Sequence, residues 1–475
     1  MLKRLIRDGA IYGGSDALAR VVSFLAFPII AAELSSEGFG VLELAMTIVT
    51  LGGVVVRCGM NNAVQRFYWD PQTAKAHQPL LVTAGLFVLL IIGVVTAVSV
   101  YAIQAILLSF ANLDPDALGA GGAIGVALLL PLIPWTQYLQ DVLRLHFAPW
   151  KFLGYSIFAR ASSAALAAIA AVVLHLGVEG VLLAQAIVLL AALPLGLWLI
   201  RKDLTKYFDR IWAQRLIQYG APLILTEAAF WLFSSIDRWM LAGMIDAQEV
   251  GIYSAAFRLS MLASFVALAF GMAWSPYAVK LQGEYPNRFK DMYAEILIIL
   301  LVIMLFIGGG IALFSGELLA LLLPAEFAGA AAPVAILTLC VVVQASQQIT
   351  AVGISMSRKT HLFAYLVWLA AAINVLLNLV LIPQMGATGA AWATLAAHLF
   401  LTIGYLLCTQ WVYPIPFSYG RLLWLVAIGS VLLVGALSLQ STVFSVNLAL
   451  TKLVILIACT LLGWSVVRMR VLLSR

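Results

Sequence analysis

Charge is scarce in this chain, and among the charged residues inside stretches that are otherwise apolar nine invite a role: Asp16, Arg20, Glu43, Arg57, Arg160, Glu227, Asp237, Arg238 and Arg258. A guanidinium stays protonated and presents a planar fork of donors, so an arginine away from water suits paired oxyanion oxygens, those of phosphate above all. A carboxyl in the same setting resists ionisation and can exchange a proton or hold a cation. Spacing divides the nine. Asp16 and Arg20 are four apart, acid first, and can pair along one helix face as an aid to insertion. Arg57 lies near the end of its stretch, where snorkelling explains it almost as well as a cavity does; for Arg160 snorkelling is the favoured reading. Arg258 has no acid within one turn, which favours a cavity. Asp237 and Arg238 are adjacent, point to different sides, and must meet other helices, as structure or as a gate. Glu43 and Glu227 lack a helical neighbour of opposite sign. With Asp16 they are the candidates for proton or cation coupling, a protonated structural carboxyl being the rival reading.

The elements that hold these residues are membrane helices. Only 10% of the 475 residues are charged and 64% are hydrophobic, and the mean hydropathy of +1.05 excludes a soluble globular protein. Long apolar runs without period-two alternation select helices over a barrel. A hydrocarbon core of about 30 Å takes about 20 residues. Spans are expected near 9–31, 40–60, 80–103, 118–140, 153–175, 181–200 and 219–242. Seven more follow near 250–273, 293–315, 328–350, 361–383, 387–411, 421–439 and 447–468. The fold class is therefore all-α, polytopic, with about fourteen spans. Lysine and arginine fall in alternate gaps, among them Lys3, Arg4, Arg7, Arg144, Lys151, Arg201, Lys202 and Arg288, with Lys452 alone in the others. By the positive-inside rule both termini are cytoplasmic.

Several chemistries are excluded. No G-x-x-x-x-G-K-[ST] run supports ATP hydrolysis, and no His, Cys or acidic spacing marks a metal or a catalytic triad. Cys58, Cys340, Cys408 and Cys459 fall in apolar runs and read as packing. The net charge of +6 belongs mostly to the inner rim, where it answers anionic lipid rather than nucleic acid. The first span is read as a retained helix because Asp16 and Arg20 interrupt its apolar core. Pro131 and Pro134 mark the strongest kink. Transport without a cofactor fits better than catalysis.

A duplication shows through the hydropathy. A shift of 211 lays Gly9-Ala10 on Gly220-Ala221, Ser15-Asp16-Ala17 on Thr226-Glu227-Ala228, and Phe39-Gly40-Val41 on Val250-Gly251-Ile252. A shift of 209 lays Gly177-Val178-Glu179-Gly180 on Gly386-Ala387-Thr388-Gly389. Two parallel six-helix copies are expected, with a path between them. The division is an N-lobe (1–200), a linker (201–218), a C-lobe (219–411) and two additional helices (412–475). The linker is basic and aromatic, and suits an amphipathic helix on the inner leaflet or a plain tether.

The run from Leu34 to Val41 resembles the first outer loop of Wzx-type polysaccharide flippases. Asp237-Arg238 followed by Gly251-Ile252-Tyr253 and Ala256 is similar to their D-R…G-x-Y-x-x-A pattern, and both G-x-x-G turns are similar to theirs before helices six and twelve. The resemblance covers essentially the whole chain. It implies the multidrug/oligosaccharidyl-lipid/polysaccharide exporter (MOP) fold, two lobes in a V working by alternating access, and kinship with lipid II flippases and multidrug antiporters. It further implies a bacterial inner-membrane flippase for a polyprenyl-diphosphate-linked oligosaccharide. Membrane lipids surround it, and a polymerase and chain-length regulator of the same pathway would be its partners. Basic cavity residues of such relatives lie in helices one, two and eight, where Arg20, Arg57 and Arg258 fall here as candidate substrate ligands. The alternative is a cation-coupled multidrug antiporter of the same fold, against which the intramembrane arginines count. Topology is testable in a background lacking the four cysteines. A membrane-impermeant maleimide should label Gln248→Cys in intact spheroplasts and leave Tyr285→Cys untouched; labelling at 285 overturns the orientation.

Overall fold

Lipid offers no partner to a backbone N–H or C=O, and the architecture follows from that. The computed structural model describes residues 2–71, 73, 75–110, 113, 114, 117–357, 359 and 361–467, with side chains at all of these except 2–12, 15–17, 19, 20, 110, 275, 276 and 279. Among the described residues there are helices and short connections and no strand. Among these residues, twelve helical segments are long and apolar enough to cross a membrane. Two of them are far longer than one crossing: α1 (Leu2–Arg57), and a later helix at His361–Val412. Fifty-two residues of straight helix would reach about 78 Å, against a core of about 30 Å. Each is broken at one residue, the first at Ser35 (φ 65°, ψ 171°) and the second at Gly386 (φ 56°, ψ −134°). Counting each as two crossings recovers the expected fourteen.

The connection expected over Leu34–Val41 is thus a single residue. Ser35 Oγ accepts the Gly38 amide at 3.4 Å, as an N-cap does, and restarts the helix at once. Gly386 does the same work without a side chain. Its counterpart in the repeat, Gly177 (φ 59°), opens α6 (Gly177–Leu199) in the same left-handed region, which glycine enters without strain.

The chain forms two compact units, Met1–Val250 and Gly251–Arg475. The first contains α1, α2 (Met60–Tyr68), α3 (Gln78–Phe110), α4 (Gly119–Leu145), α5 (Pro149–Val172), α6 and α7 (Arg210–Met244). Here α4 packs on α6, α5 on α1 and α6, and α3 on α4, while α7 lies against α1, α2 and α3. The closest approach is at Gly59, between α1 and α2, and Gly220 on α7. A Cβ on Gly220 would fall 2.2 Å from the Cys58 carbonyl oxygen, and one on Gly59 would fall 2.5 Å from the Gly220 carbonyl oxygen. No larger residue fits either place without moving α7.

The linker differs from the amphipathic helix considered for it. After a 3-10 turn at Arg201–Asp203 the backbone is irregular, and α7 starts at Arg210. Asp209 caps it, its Oδ1 accepting from the Ile211 and Trp212 amides at 2.8 and 3.1 Å. The linker is thus an irregular stretch followed by the first turns of α7, which take in residues 210–218.

The second unit holds most of α8 (Ala247–Glu284), then α9 (Phe289–Leu313), α10 (Ser315–Leu322), α11 (Ala331–Thr350), α12 (Val352–Met356), α13 (His361–Val412), α14 (Tyr419–Ser438) and α15 (Val446–Trp464). Helix α9 packs on α11, α14 and α15. Two ion pairs fasten the last two helices. Arg421 on α14 meets Glu295 on α9 at 2.7 Å, the carboxylate side chain being 1% exposed. Lys452 on α15 meets Glu317 on α10 at 2.5 Å. Lys452, counted with a loop from the sequence, in fact lies inside α15 and is fully buried. Its ammonium also sits 5.4 Å from the Phe314 ring centroid. Removing one partner of a buried pair costs about 3–5 kcal/mol, whereas removing both can be neutral. Lys452→Met should therefore lower the unfolding temperature of the purified protein sharply, and Lys452→Met with Glu317→Leu should recover most of the loss.

Candidate functional site

Four of the charged residues singled out above, Glu43, Arg57, Glu227 and Arg238, meet along one seam. The second half of α1 and the length of α7 run antiparallel, and their polar side chains pair across the line of contact. At one end Glu43 on α1 faces Arg238 on α7 at 3.5 Å, with side chains 8% and 7% exposed. Arg238 also donates to the Ser234 carbonyl at 3.1 Å. In the middle the Trp239 indole donates to Thr47 Oγ1 at 2.8 Å, and the Trp231 indole to the Thr47 carbonyl at 3.2 Å and Thr50 Oγ1 at 3.1 Å. At the other end Arg57 on α1 reaches Glu227 on α7. Its Nε and Nη2 each lie 3.1 Å from Glu227 Oε2, and Nη1 lies 3.5 Å from Gln137 Oε1 on α4. The polarity is reversed between the ends, with the acid on α1 in one pair and on α7 in the other.

The two pairs differ in access. Glu43 and Arg238 are closed off, while Arg57 and Glu227 keep 24% and 30% of their side-chain surface. Local sequence explains the opening. Gly53 lies one turn before Arg57, and a Cβ there would sit 3.6 Å from Nη1 and 3.8 Å from the Pro134 ring. The absence of a side chain leaves room beside the guanidinium. Pro131 and Pro134 lie within α4, whose Gln137 supplies the third side of the site. A half-open guanidinium held by one displaceable carboxylate can exchange that partner for an anionic ligand.

Of the other expected site residues, Asp237 is buried on α7 and Arg258 is half-buried on α8, in the second unit. The side chains of Asp16 and Arg20 lie outside the described residues. Among the described residues, no group of three or more His, Cys, Asp or Glu could hold a metal ion.

Sequence reasoning missed residues that carry no formal charge. Gln137 is one. In the second unit, Asn374 and Asn378 on α13 are wholly buried, with Asn378 donating to Asn374 Oδ1 at 3.2 Å. Asn374 donates to Thr394 Oγ1 at 3.4 Å, and Thr394 exchanges a hydrogen bond with the Tyr253 hydroxyl on α8 at 3.2 Å. The four-residue spacing of the two asparagines in apolar text was the available signal. Near the end of α4, His146 Nε2 lies 2.9 Å from Asp203 Oδ1, and the Tyr68 hydroxyl lies within 3.4 Å of both.

Comparison with known proteins places the chain. The polysaccharide biosynthesis protein family model matches residues 5–282, more than half of the chain, and the MatE model matches residues 222–380. A protein of the Lsg locus of Haemophilus influenzae is 24% identical over 58% of this chain and 66% of its own length. Agl15 of Haloferax volcanii, a flippase assigned to low-salt glycan biosynthesis, is 23% identical over 50% of each chain. The chain thus spans from half to about two thirds of these two relatives. Among solved structures, the inward closed conformation of the lipid II flippase MurJ is similar in fold, with a TM-score of 0.71 at 14% identity over 95% of this chain and 97% of that one. The family model that covers more than half of the chain identifies it as a member of the polysaccharide biosynthesis protein family, with an all-helical membrane fold like that of the lipid II flippase.

Proposed function

We propose that this transporter is a flippase carrying a polyprenyl-diphosphate-linked oligosaccharide from the inner to the outer leaflet of a bacterial inner membrane by alternating access, with both termini cytoplasmic. The observation that carries the reading is Arg57, half-open within the seam and neutralised by Glu227. A diphosphate entering a low-dielectric path needs cations already in place, and an arginine fork meets two of its oxygens at once. An unpaired arginine would be costly in the empty protein, at about 2.5–3.5 kcal/mol near the middle of a span on insertion scales. Glu227 removes that cost until the ligand arrives, then gives way to it. Arg20 and Arg258 are the further cations of this reading, on the lobes 1–200 and 219–411 that the repeat implies. No bond is made or broken in the cycle. A polymerase and a chain-length regulator would take the product on the far side.

Membership of the polysaccharide biosynthesis protein family supports the reading, as does the likeness to a glycan biosynthesis flippase. The MatE match over residues 222–380 favours a second one, a cation-coupled drug antiporter. Deletion separates them. A flippase deletion accumulates a complete lipid-linked repeat unit on the cytoplasmic side, whereas loss of a drug antiporter leaves lipid-linked sugars unchanged.

Two variants test the site. Arg57→Ala should lower flipping at least tenfold at normal protein levels, since a hydrogen bond to a charged group is worth about 1.5–3 kcal/mol and 1.4 kcal/mol is tenfold. Arg57→Lys should recover only part, keeping the charge without the fork. Wild-type flipping by Arg57→Ala overturns the assignment. Of the acids proposed for coupling, Glu227 is more open than Glu43. Glu227→Gln should abolish the response of transport to an imposed pH gradient while substrate still binds. An unaltered response would remove Glu227 from the coupling step.

A further inference from the structure

Two residues beyond Arg57 the chain changes character. Gly59 (φ 62°) breaks the helix, and α2 follows as a short amphipathic helix in a chain of otherwise apolar ones. Met60, Ala63, Val64 and Tyr68 are buried, while Asn62, Gln65, Arg66 and the following Trp69 are exposed. The exposed face borders two hollows that share Gln65 and Trp69. One, of about 240 Å³, is walled by Asn61 and Asp141; the other, of about 580 Å³, by Asn62 and Tyr219. The larger lies within the roughly 300–1,000 Å³ of small-ligand sites.

We propose that these two hollows form a saccharide-recognition site, in which the polar face of α2 reads the sugars attached to the diphosphate. The inference rests on the flippase reading above and names the part of the substrate that α2 would contact. Three observations carry it. The first is composition: side-chain amides and a carboxylate offer both donors and acceptors to hydroxyl groups, as a site for a neutral polyol requires. Asn61 shows the point. Its Nδ2 donates to Asp141 Oδ2, while its Oδ1, enclosed in the structure, has no hydrogen-bond partner there. The second is the aromatic panels. Trp69 is 56% exposed yet braced by Tyr68 and Phe147, with ring centroids 5.2 and 6.1 Å away, and Tyr219 stands edge-on to Phe67 at 5.7 Å. Rigid, half-open rings of this kind accept the apolar C–H face of a sugar ring. The third is order along the chain. A diphosphate at Arg57 leaves its first sugars about one helical turn further on, at the start of α2. The hollows do not suit the lipid part of the ligand, because an apolar tail would desolvate the amides.

The test compares two probes on the full chain in lipid nanodiscs: undecaprenyl diphosphate, and the lipid-linked glycan extracted from a strain deleted for this protein. Wild type should bind the glycan-bearing lipid at least tenfold more tightly than the bare diphosphate. Gln65→Ala and Trp69→Ala should erase most of that preference and leave affinity for the bare diphosphate within about twofold, which also shows that the variants are folded. Equal binding of the two probes by wild type overturns the saccharide site and leaves the flippase reading standing. So does an undiminished preference in both variants, or an equal loss for both probes. If no lipid-linked glycan accumulates, or neither probe binds, the flippase reading falls and this inference falls with it.

Discussion

A guanidinium held within a membrane must bring its own counter-charge, and that requirement organises the first unit of this protein. Arg57 and Arg238 each meet a carboxylate from the facing helix, so α1 and α7 cannot be placed independently. The Gly59 and Gly220 contact lets the backbones come close enough for the pairs to form. The two indoles anchored on Thr47 and Thr50 fill the interval between them. Helix register, local packing and the half-open Arg57 site are therefore consequences of one electrostatic demand. The second unit obeys the same rule for a different end. Its buried pairs, Arg421 with Glu295 and Lys452 with Glu317, fix α14 and α15 to α9 and α10.

The two kinds of pair differ in how much water reaches them, and the proposal for Arg57 rests on that difference. Lys452 is wholly buried, and a pair so enclosed has no route by which another anion could replace the acid. The Arg57 pair has Gly53 beside it and 30% of the Glu227 side-chain surface open. Exchange of partners is the property that a transport site needs, and a structural pair must lack it.

Much of this was legible in the residues. Charges are conspicuous in apolar text, so Arg57, Glu43, Glu227 and Arg238 stood out, and helix length and composition announced the crossings. Their partners did not stand out, because Arg57 and Glu227 are 170 residues apart and pair only once α7 is folded against α1. Asn374, Asn378 and Gln137 carry no charge and passed as ordinary helix. Lys452 was misplaced for a physical reason: a lysine near a span end reads as a snorkelling residue unless a buried acid such as Glu317 is known to await it. The first turnaround was read as a loop, where a single serine in the left-handed region suffices.

The reversed polarity of the seam has a consequence for voltage. Each pair sums to zero, so any rearrangement that carries α1 and α7 together moves no net charge at these positions, and the membrane potential does no work on them. Displacing Glu227 from Arg57 separates a dipole within the field instead. One elementary charge crossing 100 mV exchanges about 2.3 kcal/mol with the potential. On the proposed reading, the two pairs are electrically silent in the empty protein, and partner exchange at Arg57 exposes the site to the energised state of the membrane.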